Sequence, residues 1–187
     1  MTMRRAAIDH MLRAAGDLTG EKRFVLVGSA ALVAWFTHVP EGMAMTAEID
    51  IFAVDATDPD EVSFELEGVL GQQTAFHQTH GYFVDGVGPE TARLPEDWRD
   101  RSITYGGPST NGVVAIIPAP DDIAVAKLVR CSERDIRFIA DGVAAGLIDI
   151  DTVVARAETL RIEDLQQGKM SDKIAILLGG IKSPSRS

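Results

Sequence analysis

The sequence predicts an α/β (α+β) protein, a mixed sheet flanked by helices over residues 1–118 with a helical C-terminal part over 119–187. Three observations lead there. Short apolar runs such as Phe24-Val25-Leu26-Val27 and Ile49-Asp50-Ile51-Phe52, bounded by polar or turn residues, have the length and composition of strands. Segments with apolar residues every three or four positions alternate with those runs in the first part of the chain. After Pro118-Ala119-Pro120 only helical patterns remain.

Taken in order, residues 2–18 read as an amphipathic helix and 23–27 as a buried strand. Gly28 lets the backbone turn, and Ser29 stands at the N-cap of an apolar helix over 29–37. A long loop then leads to a strand over 48–54. Asp58-Pro59-Asp60-Glu61 starts a helix over 59–70, with proline and acids in the first turn. Residues 74–77 and 82–87 are predicted as a hairpin around Gln78-Thr79-His80-Gly81, and 93–99 as irregular with one helical turn. A second hairpin joins 101–105 to 112–117 through Gly106-Gly107-Pro108-Ser109-Thr110-Asn111. Helices are expected near 121–145, 149–160 and 171–181, the last carrying an apolar Ile174–Ile181 segment assigned to the core, and Ser183–Ser187 as a frayed tail.

Composition narrows the function. The 187 residues suffice for one sizeable domain, and 45% hydrophobic content with mean hydropathy near zero is that of an ordinary globular protein. No apolar stretch reaches the length of a membrane span, and Met1–His10 lacks the apolar segment of a secretory signal. The single cysteine, Cys131, fits a reducing cytoplasm. A net charge of −10 argues against broad binding of duplex DNA, which needs clustered Lys and Arg. His77 and His80 do not have the spacing of a zinc-binding strand pair, and Cys131 is remote from them.

The pattern richest in chemistry is Thr46-Ala47-Glu48-Ile49-Asp50. Side chains alternate across a strand, so Glu48 and Asp50 share one face. Adjacent acids repel and resist burial, and a shared cation relieves both costs. One or two carboxylates completed by phosphates are the usual way to hold Mg²⁺. The Gly28-Ser29 turn at a helix start suits phosphate. Asp85 precedes Gly86 and reads equally as a turn residue or as a third acid. If the helix from Asp121 runs on to 145, Lys127, Arg130, Arg134 and Arg137 fall along one edge, opposite an apolar face. That edge is either a solvated surface or a site for anions. Trp98 reads as a packing anchor, and Asp135 as a partner for a neighbouring arginine.

In this order the Gly-Ser turn and the Glu-Ile-Asp strand resemble the signature of the DNA polymerase beta-like nucleotidyltransferase superfamily. Over residues 23–140 the chain further resembles bacterial nucleotidyltransferase-fold proteins related to AbiEii-type abortive-infection toxins. The resemblance rests on Gly28-Ser29, Thr46–Asp50, Gly81-Tyr82-Phe83-Val84-Asp85, Leu94–Arg101, Asp122–Lys127 and Arg134-Asp135. It implies a nucleotidyltransferase-like core and NTP as substrate. It also implies that Gly28 and Ser29 cradle the β- and γ-phosphates, that Glu48 and Asp50 bind Mg²⁺, and that Asp85 is a third carboxylate, a further metal ligand that helps activate the acceptor. Lys127, with Arg130 and Arg134 near it, would neutralise the triphosphate. The implied partners are a nucleotide, a tRNA or protein acceptor, and an antitoxin.

Three positions depart from the family pattern: Glu48 replaces the usual Asp, Ala44 stands where a basic residue is common, and Ser132 where another Arg is common. A catalytically degenerate module that binds a nucleotide or a partner therefore stands beside the enzyme as the alternative reading. A scaffold with merely solvated acids accounts for composition but not for the ordered motifs.

Overall fold

A computed structural model describes residues 1–88, 92–160 and 169–182. The chain forms two compact units: Met1–Ala92 with Arg101–Pro118, and Arg93–Asp100 with Ala119–Ser187. In the first unit the elements are α1 (Arg5–Thr19), β1 (Arg23–Val27), α2 (Gly28–Trp35), α3 (Glu41–Ala44), β2 (Glu48–Ala53), α4 (Pro59–Leu70), α5 (Ala75–His80), β3 (Phe83–Gly86), β4 (Ile103–Gly106) and β5 (Val114–Ile117). The second holds α6 (Pro120–Arg130), α7 (Glu133–Ala144), α8 (Ile150–Glu158) and α9 (Met170–Lys182). Among the described residues no helix is long and apolar enough to cross a membrane.

The five strands form one mixed sheet in the order β3-β2-β1-β5-β4. β1 is central because every side chain from Phe24 to Val27 is buried, which suits a strand covered on both faces. It pairs antiparallel with β2 and parallel with β5, β2 pairs parallel with β3, and β4 antiparallel with β5. Ile49 and Ile51 point into the core from β2, and Val84 does so from β3. Complete burial of such a side chain contributes roughly 1.5–3 kcal/mol. Thus the apolar face of β2 fixes the opposite face of Glu48 and Asp50.

Two local expectations fail in this unit. Residues 74–77 are not a strand: Thr74 Oγ1 accepts the N–H of His77 at 3.3 Å and caps α5, which ends at Gly81 in the left-handed region (φ 77°). β3 therefore has no hairpin partner and pairs in parallel with β2 instead. Ser29 is not an N-cap either. Val27 holds that position, so α2 begins one residue earlier than expected and its start has no side-chain cap.

α5 also closes a ring cluster against α1. His10 Nδ1 and the Tyr82 hydroxyl share a hydrogen bond at 2.7 Å, and the His10 ring centroid lies 5.4 Å from Phe76 and 4.7 Å from His80.

In the second unit the helix expected over 121–145 is two. Cys131 takes a left-handed conformation (φ 56°) and closes α6 through its N–H to the Lys127 carbonyl at 2.9 Å. Ser132 then caps α7 in a reciprocal box with Asp135. The basic edge is consequently split, with Lys127 and Arg130 on α6 and Arg134 and Arg137 on α7. α9 buries Leu177 but leaves Ile176 56% and Leu178 36% exposed, so the apolar Ile174–Ile181 segment is core on one face only. The expected tail, Ser183–Ser187, lies outside the described residues.

Candidate active site

The acids of the first unit gather on one face of the sheet through strand register. Glu48 and Asp50 are two residues apart on β2 and are both half-buried, with fully buried Ile49 and Ile51 on the other side. Thr46 fixes the entry to this strand: its buried hydroxyl accepts the N–H of Glu48 at 3.3 Å and faces the Glu48 carbonyl at the same distance. Asp85 is the register partner of Asp50 across the parallel β2–β3 ladder, and Phe83 is the partner of Glu48. Register partners project to the same side, so Asp85 stands beside Asp50. It sits within a strand and not in the turn that Gly86 suggests.

Val27, the last residue of β1, is the register partner of Asp50 on the other side. Gly28 follows with φ 69°, and a Cβ built there would lie 1.7 Å from Asp50 Oδ2 and 2.8 Å from its Cγ. The conformation favours glycine, and a Cβ there would also push the Asp50 carboxylate aside. The bare backbone that starts α2 thus lies directly against a carboxylate. Ser29 is the second residue of that helix, half-buried, with the N–H groups of the first turn around it.

Across the sheet at this level the sequence is helix start, Asp50, Asp85. Beyond the acids, Glu48, Glu67, Gln72, Phe83, Val84 and Asp85 line a recess of about 360 Å³. Phe83 is backed by His77 of α5 with ring centroids 4.8 Å apart. Sequence reasoning missed Glu67, Gln72 and Phe83, because they reach the site only through the parallel pairing of β3 and the course of α4. The helix-capping signals at Thr74 and Gly81 would have freed β3 from the assumed hairpin.

Among the described residues, no three His, Cys, Asp or Glu side chains converge as a ready-made metal cage. The donor set of Glu48 and Asp50, hard oxygens on one face, fits a cation that takes one or two carboxylates and completes its shell with water and phosphate. It does not fit zinc, which prefers nitrogen and sulfur.

The predicted cationic residues belong to the second unit, where Asp135 organises two of them. Its side chain is fully buried. Arg130 donates from Nε to Oδ2 at 2.7 Å and from a terminal nitrogen to Oδ1 at 2.5 Å, while Ser132 Oγ donates to Oδ2 at 2.6 Å. Lys127 Nζ is 3.8 Å from Oδ1 and 4.4 Å from the centre of the Phe138 ring. Burial pushes the Asp135 carboxyl up, but the bonds from Arg130 and Ser132 and the charges of Arg130 and Lys127 outweigh it, leaving it below its ordinary value. Arg134 lies exposed on the first turn of α7 and is not one of the groups bonded to Asp135. A second buried acid, Asp122, receives Arg156 at 2.9 Å and ties α6 to α8.

The family described as nucleotidyltransferase of unknown function (DUF6036) matches residues 6–175. No curated protein and no solved structure matches the chain.

Proposed function

The chain belongs to this nucleotidyltransferase family, and we propose that it is a Mg²⁺-dependent enzyme moving a nucleoside monophosphate from an NTP to a hydroxyl on an RNA end or a protein. The observation that carries this reading is the packing of the Gly28 backbone against Asp50, on the face that also bears Glu48 and Asp85. Phosphates need bare N–H groups and a cation needs oxygens, and here the two are adjacent.

In this reading Gly28 and Ser29 receive the β- and γ-phosphates. Glu48 and Asp50 hold Mg²⁺, which when bound supplies positive charge to the phosphates and to the entering oxygen. The acceptor hydroxyl oxygen attacks the α-phosphorus, and the bond from that phosphorus to the oxygen bridging to the β-phosphate breaks. Pyrophosphate leaves and Asp85 takes the hydroxyl proton. The cations that the family resemblance assigns to the triphosphate, Lys127, Arg130 and Arg134, all belong to the second unit, where Asp135 holds the first two. The likeness to AbiEii-type toxins extends the proposal to a cytoplasmic toxin whose partner is an antitoxin.

Glu48 favours a second reading. Its extra methylene displaces the carboxylate relative to the usual Asp, and Mg²⁺ tolerates little distortion. On that account the protein binds a nucleotide without turning it over. Incubation with Mg²⁺, labelled NTPs and total tRNA or protein, repeated with Asp50→Ala, separates the two. Label transfer that the variant loses supports the enzyme. Thermal stabilisation by NTP with no transfer supports the binding module, and neither effect overturns both.

A further inference from the structure

We infer that the solvent face of α4 is a docking surface for a basic, apolar-faced segment of another protein, with Phe64 as its anchor. The inference goes beyond nucleotidyl transfer and does not depend on it.

This face departs from what water asks of a helix. α4 buries Ser63, Leu66 and Leu70, whereas Phe64 stands well away from that side and is 79% exposed. Helical side chains lean toward the N-terminus, so residue 68 would ordinarily shield residue 64. Gly68 shields nothing. A Cβ there would meet no atom within 4 Å, so the fold does not require this glycine, which weakens the helix. Val69, 50% exposed, adds apolar surface near the end of the helix.

Charge on the same face is equally unfavourable. Asp60, Glu61, Glu65 and Glu67 surround Phe64 and are all exposed, and Pro59–Leu70 contains no Lys, Arg or His. Asp60 and Glu61 suit the helix start. Glu65 stands one turn from Glu61, and like charges so placed repel. Glu67 lies in the last turn, where the helix dipole disfavours an acid.

The bare ring, the missing shield and the unopposed acids each cost stability, and one occupant relieves all three. Local rules broken together with no gain to the fold mark a functional surface. A large aromatic side chain within a polar rim has the make-up of an interface anchor. The sign of the rim selects the partner. Four acids repel the phosphates of a nucleic acid, an anionic membrane and the α4 of a second copy. They attract Lys and Arg, which also stack on an aromatic face. The net charge of −10 draws a basic partner in from a distance.

The test is equilibrium binding of the full-length protein to a labelled helical peptide of Lys and Leu with its leucines on one face, read by anisotropy. Two control peptides carry Gln for Leu or Glu for Lys. The Lys/Leu peptide should bind at least about tenfold tighter than either control, and Phe64→Ser should weaken it by a similar factor. Glu61→Lys with Glu65→Lys should also weaken it and flatten its salt dependence. Both variants should keep or raise the thermal midpoint, since the surface is held against stability. Bound peptide should slow amide hydrogen exchange on α4. Three binding results would overturn the surface: no binding of the Lys/Leu peptide, equal binding by Phe64→Ser, or equal binding of the Gln control. Protection confined to other elements would do the same. Tighter binding of phosphatidylserine vesicles or single-stranded RNA would overturn the choice of a basic protein, as would a dimer that Phe64→Ser dissociates. A thermal midpoint lowered by Phe64→Ser would show that the ring serves the fold, which also overturns the proposal.

Discussion

Gly28 and Asp50 are packed so closely that a Cβ at position 28 would fall 1.7 Å from Asp50 Oδ2 and displace that carboxylate. The Asp50 carboxylate and the start of α2 are thereby a single structural unit. Gly28→Ala should cost at least about 1–2 kcal/mol from the left-handed backbone alone, with more from the clash. Chemical denaturation measures the loss, and any nucleotide transfer should fall with it because Asp50 must move.

Asp135 links the cap of α7 to the side chains of Arg130 and Lys127. Asp135→Ala leaves Ser132 and Lys127 without a shared acceptor, and should destabilise the protein by about 1–3 kcal/mol. Arg130 is largely exposed and can rehydrate, which keeps the loss below that of a fully buried pair. Because the folded carboxyl lies below its ordinary value of 3.8, this contribution is complete above the unfolded value. It is lost as pH falls through the folded one. An acid titration of wild type and variant should therefore converge only at low pH.

His10 behaves in the opposite sense to a stabilising histidine ion pair. Burial first, then the charges of His80 and Arg13, hold its imidazole below its ordinary 6.5. The groups facing it are His80, Arg13, the Tyr82 hydroxyl and the Phe76 ring. The unfolded chain takes up the proton first, so stability is complete above about pH 6.5 and declines as pH falls below it. Thermal midpoints between pH 7 and 5 should drop more steeply in the wild type than in His10→Gln. Parallel curves would show that the cluster does not sense protons.

Much of this architecture is legible in the residues themselves. The apolar run 23–27 and the Asp58-Pro59 start mark β1 and α4 at the bounds observed, and alternation along β2 places Glu48 and Asp50 on one face. The break at Cys131 is harder to see. The apolar period runs from Ile123 through Ile139, no Gly or Pro interrupts it, and only the Ser132–Asp135 box announces a new helix. The adjacency of Asp85 to Asp50 is a matter of which strands pair. Local sequence does not encode that choice, because it depends on where α4 and α5 return the chain. For the same reason the recess with Phe83 and Gln72 has no motif of its own.

Cys131 offers a gain. A non-glycine residue with φ 56° carries a conformational cost of about 1–2 kcal/mol, so Cys131→Gly should be as stable as the wild type or more so. Burial also pushes its thiol up, and alkylation near neutral pH should be slower than that of a free cysteine.

The most direct test of the central claim is the Mg²⁺ dependence of binding to a non-hydrolysable NTP, compared between wild type and Asp50→Ala. If Glu48, Asp50 and the Gly28 turn form one metal-and-phosphate site, Mg²⁺ should tighten binding at least tenfold in the wild type and have little effect in the variant. An equal Mg²⁺ enhancement in both proteins would contradict it.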